Sequence, residues 1–269
     1  MRQLVFVDSD GTLKNNQGII SENTKETLKE LKSNGIEVII TTGRPRYHAI
    51  KVKDMSNASR YVISSNGAEV YDCDLEDVIF ASYMNNDDVI KITDIANKYN
   101  SRCMYTVDGK EVVMDEAKND NQVLLEGTLE NFLNSNNVKQ IFIRSDTEDE
   151  GIETYEEIKK LSNVKIVNES SFFHDHIVEK KGIWFSVSSI DVNKGTAIKV
   201  LCEHLNVSLE NTYGFGNDYN DIKMFETVNH SIVMDNANDD LKKLAKIVAK
   251  SNDDNGVAAF LEELFIKKN

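Results

Sequence analysis

Short apolar runs alternate with amphipathic stretches in the first part of the chain. Leu4–Val7 and Ile36–Ile40 are each long enough for one buried strand, and the second is rich in β-branched residues. Between them, Ser21 is a candidate helix N-cap and Gly35 a candidate helix stop. Tyr61–Ser64 is a third short strand. The strand–helix–strand order predicts a parallel sheet with right-handed crossovers.

The last part of the chain returns to this pattern. The predicted elements there are a helix from Lys194 to Leu205, strands at Thr212–Phe215 and Ser231–Met234, and closing helices at Asp239–Val248 and Gly256–Ile266. Together with the first part, they predict a Rossmann-like, doubly wound parallel sheet formed by residues 1–82 and 190–269.

The middle of the chain has strand and helix patterns but no turn that combines carboxylates with glycine, as the first part has. Strands are predicted at Arg102–Val107, Lys139–Arg144, Asn163–Val167 and Ile183–Ser188, and helices at Asn86–Tyr99 and Glu150–Leu161. We interpret residues 83–189 as a separate α/β module inserted into the first domain.

Composition excludes several classes of function. The 269 residues carry a net charge of −14, which argues against nucleic acid as a partner because phosphate backbones call for clustered Lys and Arg. No apolar stretch approaches the ~20 residues of a membrane span, and an acidic residue comes too early for a secretory signal. The three cysteines are widely spaced and predict neither disulfides nor a metal cluster, so we expect a cytoplasmic protein.

Polar clusters follow the predicted strands or open the next helix. Asp8 and Asp10 lie in Asp-Ser-Asp-Gly-Thr after the first strand, and Thr42-Gly43-Arg44 follows the second. Lys194 opens a helix, and Asn217 through Asp221 follow the strand at Thr212–Phe215. A parallel sheet brings such ends to one edge. We therefore expect these clusters to form one site.

The residue types in these clusters suit phosphoryl transfer. A carboxylate can act as covalent nucleophile, hydroxyl and backbone N–H groups can hold phosphate oxygens, and a lysine can neutralise developing charge. Taken singly, each cluster has a plainer interpretation as a turn or a surface lysine. His174 and His176 could bind a metal, although a module surface or a substrate-facing loop is the better interpretation.

In this order, the clusters resemble the motifs of the haloacid dehalogenase superfamily, specifically its Cof-like hydrolases of subfamily IIB. The residues that carry the resemblance are Asp8-Ser9-Asp10-Gly11-Thr12, Thr42-Gly43-Arg44, Lys194-Gly195, and Gly216-Asn217-Asp218-Tyr219-Asn220-Asp221. Ser65-Asn66-Gly67-Ala68 is similar to a further segment of the family. The resemblance covers the whole chain except the inserted module.

The resemblance implies a Mg²⁺-dependent phosphatase in which the inserted module is a cap that selects the substrate. Asp8 would be the nucleophile and Asp10 the acid and base. The phosphate would be held by Ser9, Thr42, Gly43, Lys194 and Asn220, and the metal site by Asp8, Asp10, Asn217 and Asp221. The family usually has Asp where this chain has Asn217, whose amide oxygen can bind Mg²⁺ but brings no charge. Two outcomes stay open: Asn217 is a neutral ligand and Mg²⁺ binds somewhat more weakly, or Asp218 or Asp221 supplies the missing charge.

A small phosphorylated metabolite is the expected substrate, with sugar phosphates first and cofactor phosphates such as flavin mononucleotide or pyridoxal phosphate next. Two alternatives stay open: a phosphomutase or phosphotransferase, and a non-catalytic protein that binds phosphorylated metabolites. The sequence indicates neither the oligomeric state nor the cap residues that would select the substrate. Trp184 and His174 are only candidates for such contacts.

Overall fold

The computed structural model describes residues 2–114, 119–167 and 182–267. The chain divides into two compact units, Met1–Phe80 with Asn193–Asn269 and Ala81–Val192. The roles predicted for the two parts, catalysis and substrate selection, stay predictions. His174 and His176, the candidate metal pair, lie outside the described residues.

The described elements are numbered in chain order. The strands are β1 (Gln3–Val7), β2 (Ile36–Thr41), β3 (Tyr61–Ser64), β4 (Glu69–Asp72), β5 (Asp77–Ala81), β6 (Arg102–Thr106), β7 (Glu111–Val113), β8 (Gln122–Leu124), β9 (Gln140–Arg144), β10 (Val164–Val167), β11 (Trp184–Ser189), β12 (Thr212–Gly216), β13 (His230–Met234) and β14 (Ile247–Ala249). The α-helices are α1 (Glu22–Ser33), α2 (Arg46–Ser56), α3 (Asn86–Lys98), α4 (Leu129–Leu133), α5 (Glu148–Ile158), α6 (Lys194–His204), α7 (Ile222–Thr227), α8 (Asp239–Lys242) and α9 (Gly256–Leu261).

The sheet of the first unit has the strand order β14-β13-β12-β1-β2-β3-β4-β5. From β14 to β3 all neighbouring strands are parallel, and β4 then pairs with β3 in the antiparallel direction. The predicted parallel α/β core is therefore confirmed. β1 lies inside this sheet, between β12 and β2, so the residues that follow it emerge among the ends of other parallel strands.

Both faces of this sheet are covered by helices because successive side chains of its strands point to opposite sides. Val5 and Val7 of β1 belong to a core that includes side chains of α1, α2 and α9. Leu4 and Phe6 belong to a second core that includes side chains of α6, α7 and α8. The continuous apolar run at the start of the chain is thus a strand buried on both faces.

The second unit has its own sheet, with the order β10-β11-β9-β6-β7-β8. Its pairs are antiparallel except β7 with β8. Tyr105, Ile141 and Val187 of this sheet form a core with apolar residues of α3 and α5, such as Ile92 and Ile158. This unit therefore has a separate hydrophobic core, as an independent α/β module requires.

The helix predicted over Asp239–Val248 is wrong in its second half. Helix α8 ends at Lys242, and Ile247–Ala249 forms β14 instead. This short β-branched segment pairs with β13, where Ile232 lies opposite Ile247. Pairing satisfies backbone groups along β13, and this tertiary gain outweighs the helical pattern of the local sequence.

The structure contains no helix, among the residues it describes, that is both long enough and apolar enough to cross a membrane. Cys73, Cys103 and Cys202 are free thiols.

Candidate active site

Neighbouring strands of the first unit end in polar segments at the same edge of the sheet. Asp8 follows β1, Thr42 follows β2, Ser65 follows β3 and Asn217 follows β12. These four strands are adjacent and parallel, so their carboxyl ends lie side by side. The expected convergence of the sequence clusters is present in the structure.

Asp8, Lys194 and Asp221 form a buried group of charges that we call the inner ion cluster. Lys194 Nζ donates to Asp8 Oδ1 at 2.6 Å and to Asp221 Oδ1 at 2.6 Å. The side chains of Lys194 and Asp221 are fully buried, and that of Asp8 is 9% exposed. One cation between two carboxylates leaves this cluster with an excess of negative charge.

Burial and neighbouring charges shift the protonation equilibria of this cluster. Burial raises the pKa of Asp8 to about 7, and the nearby Asp221 carboxylate adds to this effect, whereas Lys194 opposes it. Burial alone would lower the pKa of Lys194, but the carboxylates of Asp221 and Asp8 raise it well above its usual value. Lys194 is therefore a permanent cation beside a carboxyl group that titrates near neutrality.

The loop after β12 holds Asp221 in place. Asp221 Oδ2 accepts hydrogen bonds from the backbone N–H groups of Asn217 at 2.9 Å and Asp218 at 3.1 Å. A Cβ atom on Gly216 would lie 2.4 Å from Asp221 Cγ, so only glycine fits there. Both oxygens of Asp221 thus have partners within the protein. This carboxylate orients Lys194 and the loop.

Asp10, Lys14 and Arg44 form a second group of charges, the outer ion cluster. Lys14 Nζ donates to Asp10 Oδ1 at 3.2 Å, and Arg44 Nε donates to Asp10 Oδ2 at 3.2 Å. The side chain of Asp10 is 46% exposed. Burial by itself would raise the pKa of Asp10, but Arg44 and Lys14 together hold this pKa below its ordinary value.

Two buried hydroxyl groups lie beside the outer ion cluster. Ser9 Oγ and Thr42 Oγ1 are 3.0 Å apart, and Ser9 Oγ also donates to Asp10 Oδ2 at 3.0 Å. The backbone N–H of Arg44 donates to Thr42 Oγ1 at 3.2 Å. A cavity of about 190 Å³ opens here, and it is lined by Ser9, Asp10, Lys14, Thr42, Arg44, His48 and Val52. The hydroxyl pair therefore borders a space that can accept a small polar group.

Asn217 is held against the loop that follows Asp10. Thr12 Oγ1 donates to Asn217 Oδ1 at 2.8 Å. Gly11 has a φ of 78°, and a Cβ atom there would lie 2.4 Å from Asn217 Nδ2. Glycine is required both by the left-handed backbone and by this close approach. The contact fixes the amide of Asn217 next to the Asp8–Asp10 segment.

The oxygen atoms available in this region are of the kinds that Mg²⁺ binds. Mg²⁺ prefers oxygen donors from one or two carboxylates together with water and phosphate. Asp8 supplies a carboxylate, Asp10 a backbone carbonyl, and Asn217 an amide oxygen with one lone pair beyond its bond to Thr12. Within the described ranges, no group of three or more His, Cys, Asp or Glu side chains could hold a metal. A metal here would therefore depend on this mixed set of donors.

Gly43 and Asn220, the two remaining residues predicted to contact phosphate, both lie next to Asn66. Asn220 Nδ2 donates to Asn66 Oδ1 at 3.0 Å, and a Cβ atom on Gly43 would lie 2.8 Å from the same Asn66 oxygen. Every residue predicted for the site therefore belongs to the first unit, where it follows a strand, opens α6 or lies in the loop after β12.

Sequence reasoning did not assign site roles to Lys14, His48 or Asn66. Lys14 comes four residues after Asp10, but the intervening turn is not a helix, so no periodic pattern pointed to this ion pair. His48 lies on α2, a helix that was not predicted because its apolar face is weak. Asn66 belongs to the segment Ser65-Asn66-Gly67-Ala68, but its contacts depend on tertiary packing.

The sequence of this chain is similar to the sequences of known proteins. Residues 5–261 match the family model described as haloacid dehalogenase-like hydrolase. The 5-amino-6-(5-phospho-D-ribitylamino)uracil phosphatase YcsE of Bacillus subtilis (strain 168) is 26% identical over 258 residues, covering 95% of this chain and 93% of that protein.

Solved structures share the fold. A haloacid dehalogenase-like hydrolase from Bacteroides thetaiotaomicron has a TM-score of 0.81 at 20% identity, covering 98% of this chain and 100% of that one. The haloacid dehalogenase subclass IIB sugar phosphatase BT4131 has a TM-score of 0.77 at 23% identity, covering 97% and 98% of the two chains. At these identities the likeness concerns the fold alone.

The fold brings carboxylates, hydroxyl groups and cations together at the edge of a parallel sheet. The chain belongs to the haloacid dehalogenase-like hydrolases, because that family model spans nearly its whole length. The predicted family is therefore confirmed, and so is the prediction of an enzyme of the phosphatase class.

Proposed function

We propose that the protein is a Mg²⁺-dependent phosphatase that hydrolyses a small phosphorylated metabolite through an aspartyl-phosphate on Asp8. The observation that carries this proposal is the pairing of Asp8 with Lys194 at 2.6 Å in the buried inner ion cluster. Asp10, two residues further on, forms ion pairs with Lys14 and Arg44 and lies beside the hydroxyl groups of Ser9 and Thr42. The groups that we propose as nucleophile, acid or base, and phosphate donors therefore lie together at one sheet edge.

In the first half-reaction, an Asp8 carboxylate oxygen bonds to phosphorus as the bond from phosphorus to the substrate oxygen breaks. Asp10 gives its proton to that leaving oxygen, which departs as an alcohol. Ser9, Thr42 and Lys194 hold the phosphoryl oxygens and offset their charge. The products are the alcohol and a phosphorylated Asp8.

In the second half-reaction, water attacks the phosphorus and the bond to Asp8 breaks. Asp10, now ionised, takes a proton from this water, which restores its protonated form, and inorganic phosphate leaves. Lys14 and Arg44 favour the ionised form of Asp10, which is the form needed as a base. Asp221 contributes by holding Lys194 in place.

Asp8, the Asp10 carbonyl and Asn217 would hold Mg²⁺. When bound, this ion supplies positive charge to Asp8 and to the phosphoryl group. Because Asn217 brings no charge of its own, we expect Asn217→Asp to lower the Mg²⁺ concentration that gives half-maximal activity. A Mg²⁺ titration of both proteins tests this, and an unchanged or higher midpoint would contradict the placement of Asn217 at the metal.

We propose a sugar or sugar-alcohol phosphate as the substrate class. Two similar proteins support this proposal by their names, since one acts on a phosphorylated ribityl compound and the other on sugar phosphates. A panel of sugar phosphates, sugar-alcohol phosphates and cofactor phosphates, assayed for phosphate release with Mg²⁺, ranks the candidates by kcat/KM. Preference for a class without a polyol chain would contradict this assignment.

The test of the proposed chemistry is hydrolysis of p-nitrophenyl phosphate with and without Mg²⁺. We expect Asp8→Asn to lower kcat by at least about 10³-fold, because the amide cannot act as the nucleophile. Asp235→Asn is the matched control, since it makes the same change on an exposed carboxylate that pairs with Lys242. Activity that survives Asp8→Asn would rule out the mechanism.

A further inference from the structure

The segment after β3 has an unusual backbone. Ser65, Asn66 and Gly67 have consecutive φ values of 49°, 58° and 98°, all in the left-handed region. Ser65 is fully buried and Asn66 is 2% exposed. A non-glycine residue adopts this conformation at an energetic cost, and two in succession persist only where the surrounding structure holds them. Such strain is concentrated at functional sites, which makes this segment a candidate for one.

Backbone contacts tie this segment to the loop after β2. The N–H of Ser65 donates to the carbonyl of Arg44 at 2.8 Å, and the N–H of Asn66 donates to the carbonyl of Thr42 at 3.1 Å. These two bonds bracket Gly43, the residue between them in the proposed phosphate loop. The left-handed turn therefore brings the side chain of Asn66 directly against Gly43.

Gly67 ties the same segment to the start of α6. A Cβ atom on Gly67 would lie 2.2 Å from the carbonyl oxygen of Asn193 and 2.9 Å from the backbone nitrogen of Lys194. The segment thus touches the backbone that delivers Lys194 as well as the loop that contains Gly43. It lies among the proposed phosphate contacts without having been assigned to them.

The side chain of Asn66 has a donor group that no hydrogen bond in the described structure uses. Asn66 Oδ1 accepts from Asn220 Nδ2 at 3.0 Å, whereas Asn66 Nδ2 is buried and has no partner among the described residues. Buried donors are almost always satisfied, because an unsatisfied one loses its bonds to water. An acceptor supplied by a ligand resolves this exception.

We propose that Asn66 is a further phosphate ligand, whose Nδ2 donates a hydrogen bond to a phosphoryl oxygen held beside Gly43 and Asn220. Asn66 has this role only if the chain binds phosphoryl groups as proposed above. The strained turn serves to place the amide at this point, and the bond from Asn220 fixes which face of the amide is free to donate.

Asparagine tolerates the left-handed region better than most residues, so a purely conformational role for Asn66 has to be separated from binding. Asn66→Gly keeps the backbone conformation and removes the amide. Asn57 offers a matched control, because it also has a left-handed φ of 61°, at the C-cap of α2, and its side chain donates to the carbonyl of Lys25 in an exposed position. Asn57→Gly therefore reports the effect of the same substitution away from the site.

The experiment measures inhibition of p-nitrophenyl phosphate hydrolysis by inorganic phosphate, with the thermal midpoint of each variant as a folding check. A hydrogen bond to a charged acceptor corresponds to a factor of about 10 to 100 in affinity, so we expect Asn66→Gly to raise the Ki of phosphate by at least about tenfold. Asn57→Gly should leave Ki unchanged. Calorimetric titration with phosphate repeats the comparison without turnover.

Asn66→Asp covers the case in which the glycine variant does not fold, since aspartate also tolerates this backbone. Its carboxylate keeps the shape but removes the donor, so we expect an even weaker affinity for phosphate. If the wild type binds phosphate and the folded Asn66 variants have a Ki within about twofold of the wild-type value, the role of Asn66 alone is overturned. A wild-type protein that neither binds nor releases phosphate would overturn the proposed function, and the role of Asn66 with it.

Discussion

The inner and outer ion clusters are built from the same chemical groups in opposite proportions. In the inner cluster, Lys194 lies between the carboxylates of Asp8 and Asp221, and all three side chains are buried or nearly so. In the outer cluster, Asp10 lies between the cations of Lys14 and Arg44 and is about half exposed. Two carboxylates that are neighbours in one pentapeptide therefore experience opposite environments.

The difference shows how one short turn can provide two kinds of carboxyl group. Burial raises the pKa of Asp8, and the Asp221 carboxylate adds to this effect, whereas the cations Arg44 and Lys14 lower the pKa of Asp10. A cation that binds beside Asp8 would favour its ionised, nucleophilic form. The ionised form of Asp10 is already favoured by its protein partners, which suits a group that must accept a proton from water.

Within the outer cluster, removing the carboxyl group of Asp10 should have the largest effect. Asp10→Asn should lower kcat for an alkyl phosphate by about 10²- to 10⁴-fold, the usual contribution of general acid–base catalysis. With p-nitrophenyl phosphate, whose leaving group needs no proton, phosphorylated protein should accumulate, because the amide cannot accept a proton from water. Steady-state rates and acid-quenched protein mass measure both effects. Wild-type turnover in this variant would remove Asp10 from the chemistry.

The role of the inner cluster can be tested by replacing its cation, Lys194. Lys194→Met leaves two buried carboxylates without their shared partner, so we expect the free energy of unfolding at pH 8 to fall by about 3–5 kcal/mol. Urea unfolding measures this loss. Lys223→Met on α7 is the control, because Lys223 pairs with Glu226 at the surface. Equal, small losses in the two variants would show that the inner cluster is not a tightly coupled unit.

Stability should depend on pH in a way that identifies Asp8. An unfolded Asp has a pKa near about 3.9, and burial raises that of native Asp8 to about 7. Between these values the native state holds a proton that the unfolded chain has lost, so unfolding free energy should decrease as pH rises through this window. Urea unfolding of the metal-free protein from pH 4 to pH 8 measures this slope.

Asp8→Asn should remove this dependence on pH. At pH 8 its free energy of unfolding should therefore be higher than that of the wild type. Mg²⁺ should flatten the wild-type slope, because it favours the ionised carboxylate. Asp10 contributes in the opposite direction, since its stabilising effect is lost only as pH falls through its lowered pKa. A wild-type slope equal to that of Asp8→Asn across this window would contradict the raised pKa.

The smallest expected effect comes from removing one cation of the outer cluster. Lys14→Met leaves Arg44 in place, so the pKa of Asp10 should rise toward its ordinary value. In the pH profile of kcat/KM, activity should fall on the high-pH side as Asp10 loses the proton that it donates. This fall should move to higher pH in Lys14→Met. Lys25→Met, at a surface pair on α1, provides the control. A fall at unchanged pH would show that Lys14 does not act on Asp10.

Several features of this molecule could be predicted from local patterns. The apolar runs at β1 and β2 identify buried parallel strands, and polar residues at their ends must share one edge of the sheet. Strand β14 could not be predicted in this way, because three residues form a strand there only through pairing with β13. The local sequence pattern of β14 does not show that an edge of β13 is available for pairing.

The electrostatics of the site also lay beyond local patterns. Asp8 and Asp10 are the same residue type two positions apart, and their difference depends on partners elsewhere in the chain. Lys194 is 186 positions from Asp8, and Arg44 is 34 positions from Asp10. The motif therefore indicated that both carboxylates matter, whereas only the packed structure shows which one is buried with an excess of negative charge.

The most direct test of the central claim is to trap the phosphorylated protein during turnover. Wild-type protein with Mg²⁺ and a sugar phosphate is quenched in acid within a single turnover, and its peptides are analysed by mass spectrometry. We predict one phosphoryl group on Asp8 of the wild type and none in Asp8→Asn. Turnover without phosphorylation of Asp8, or with the phosphoryl group on another residue, would contradict it.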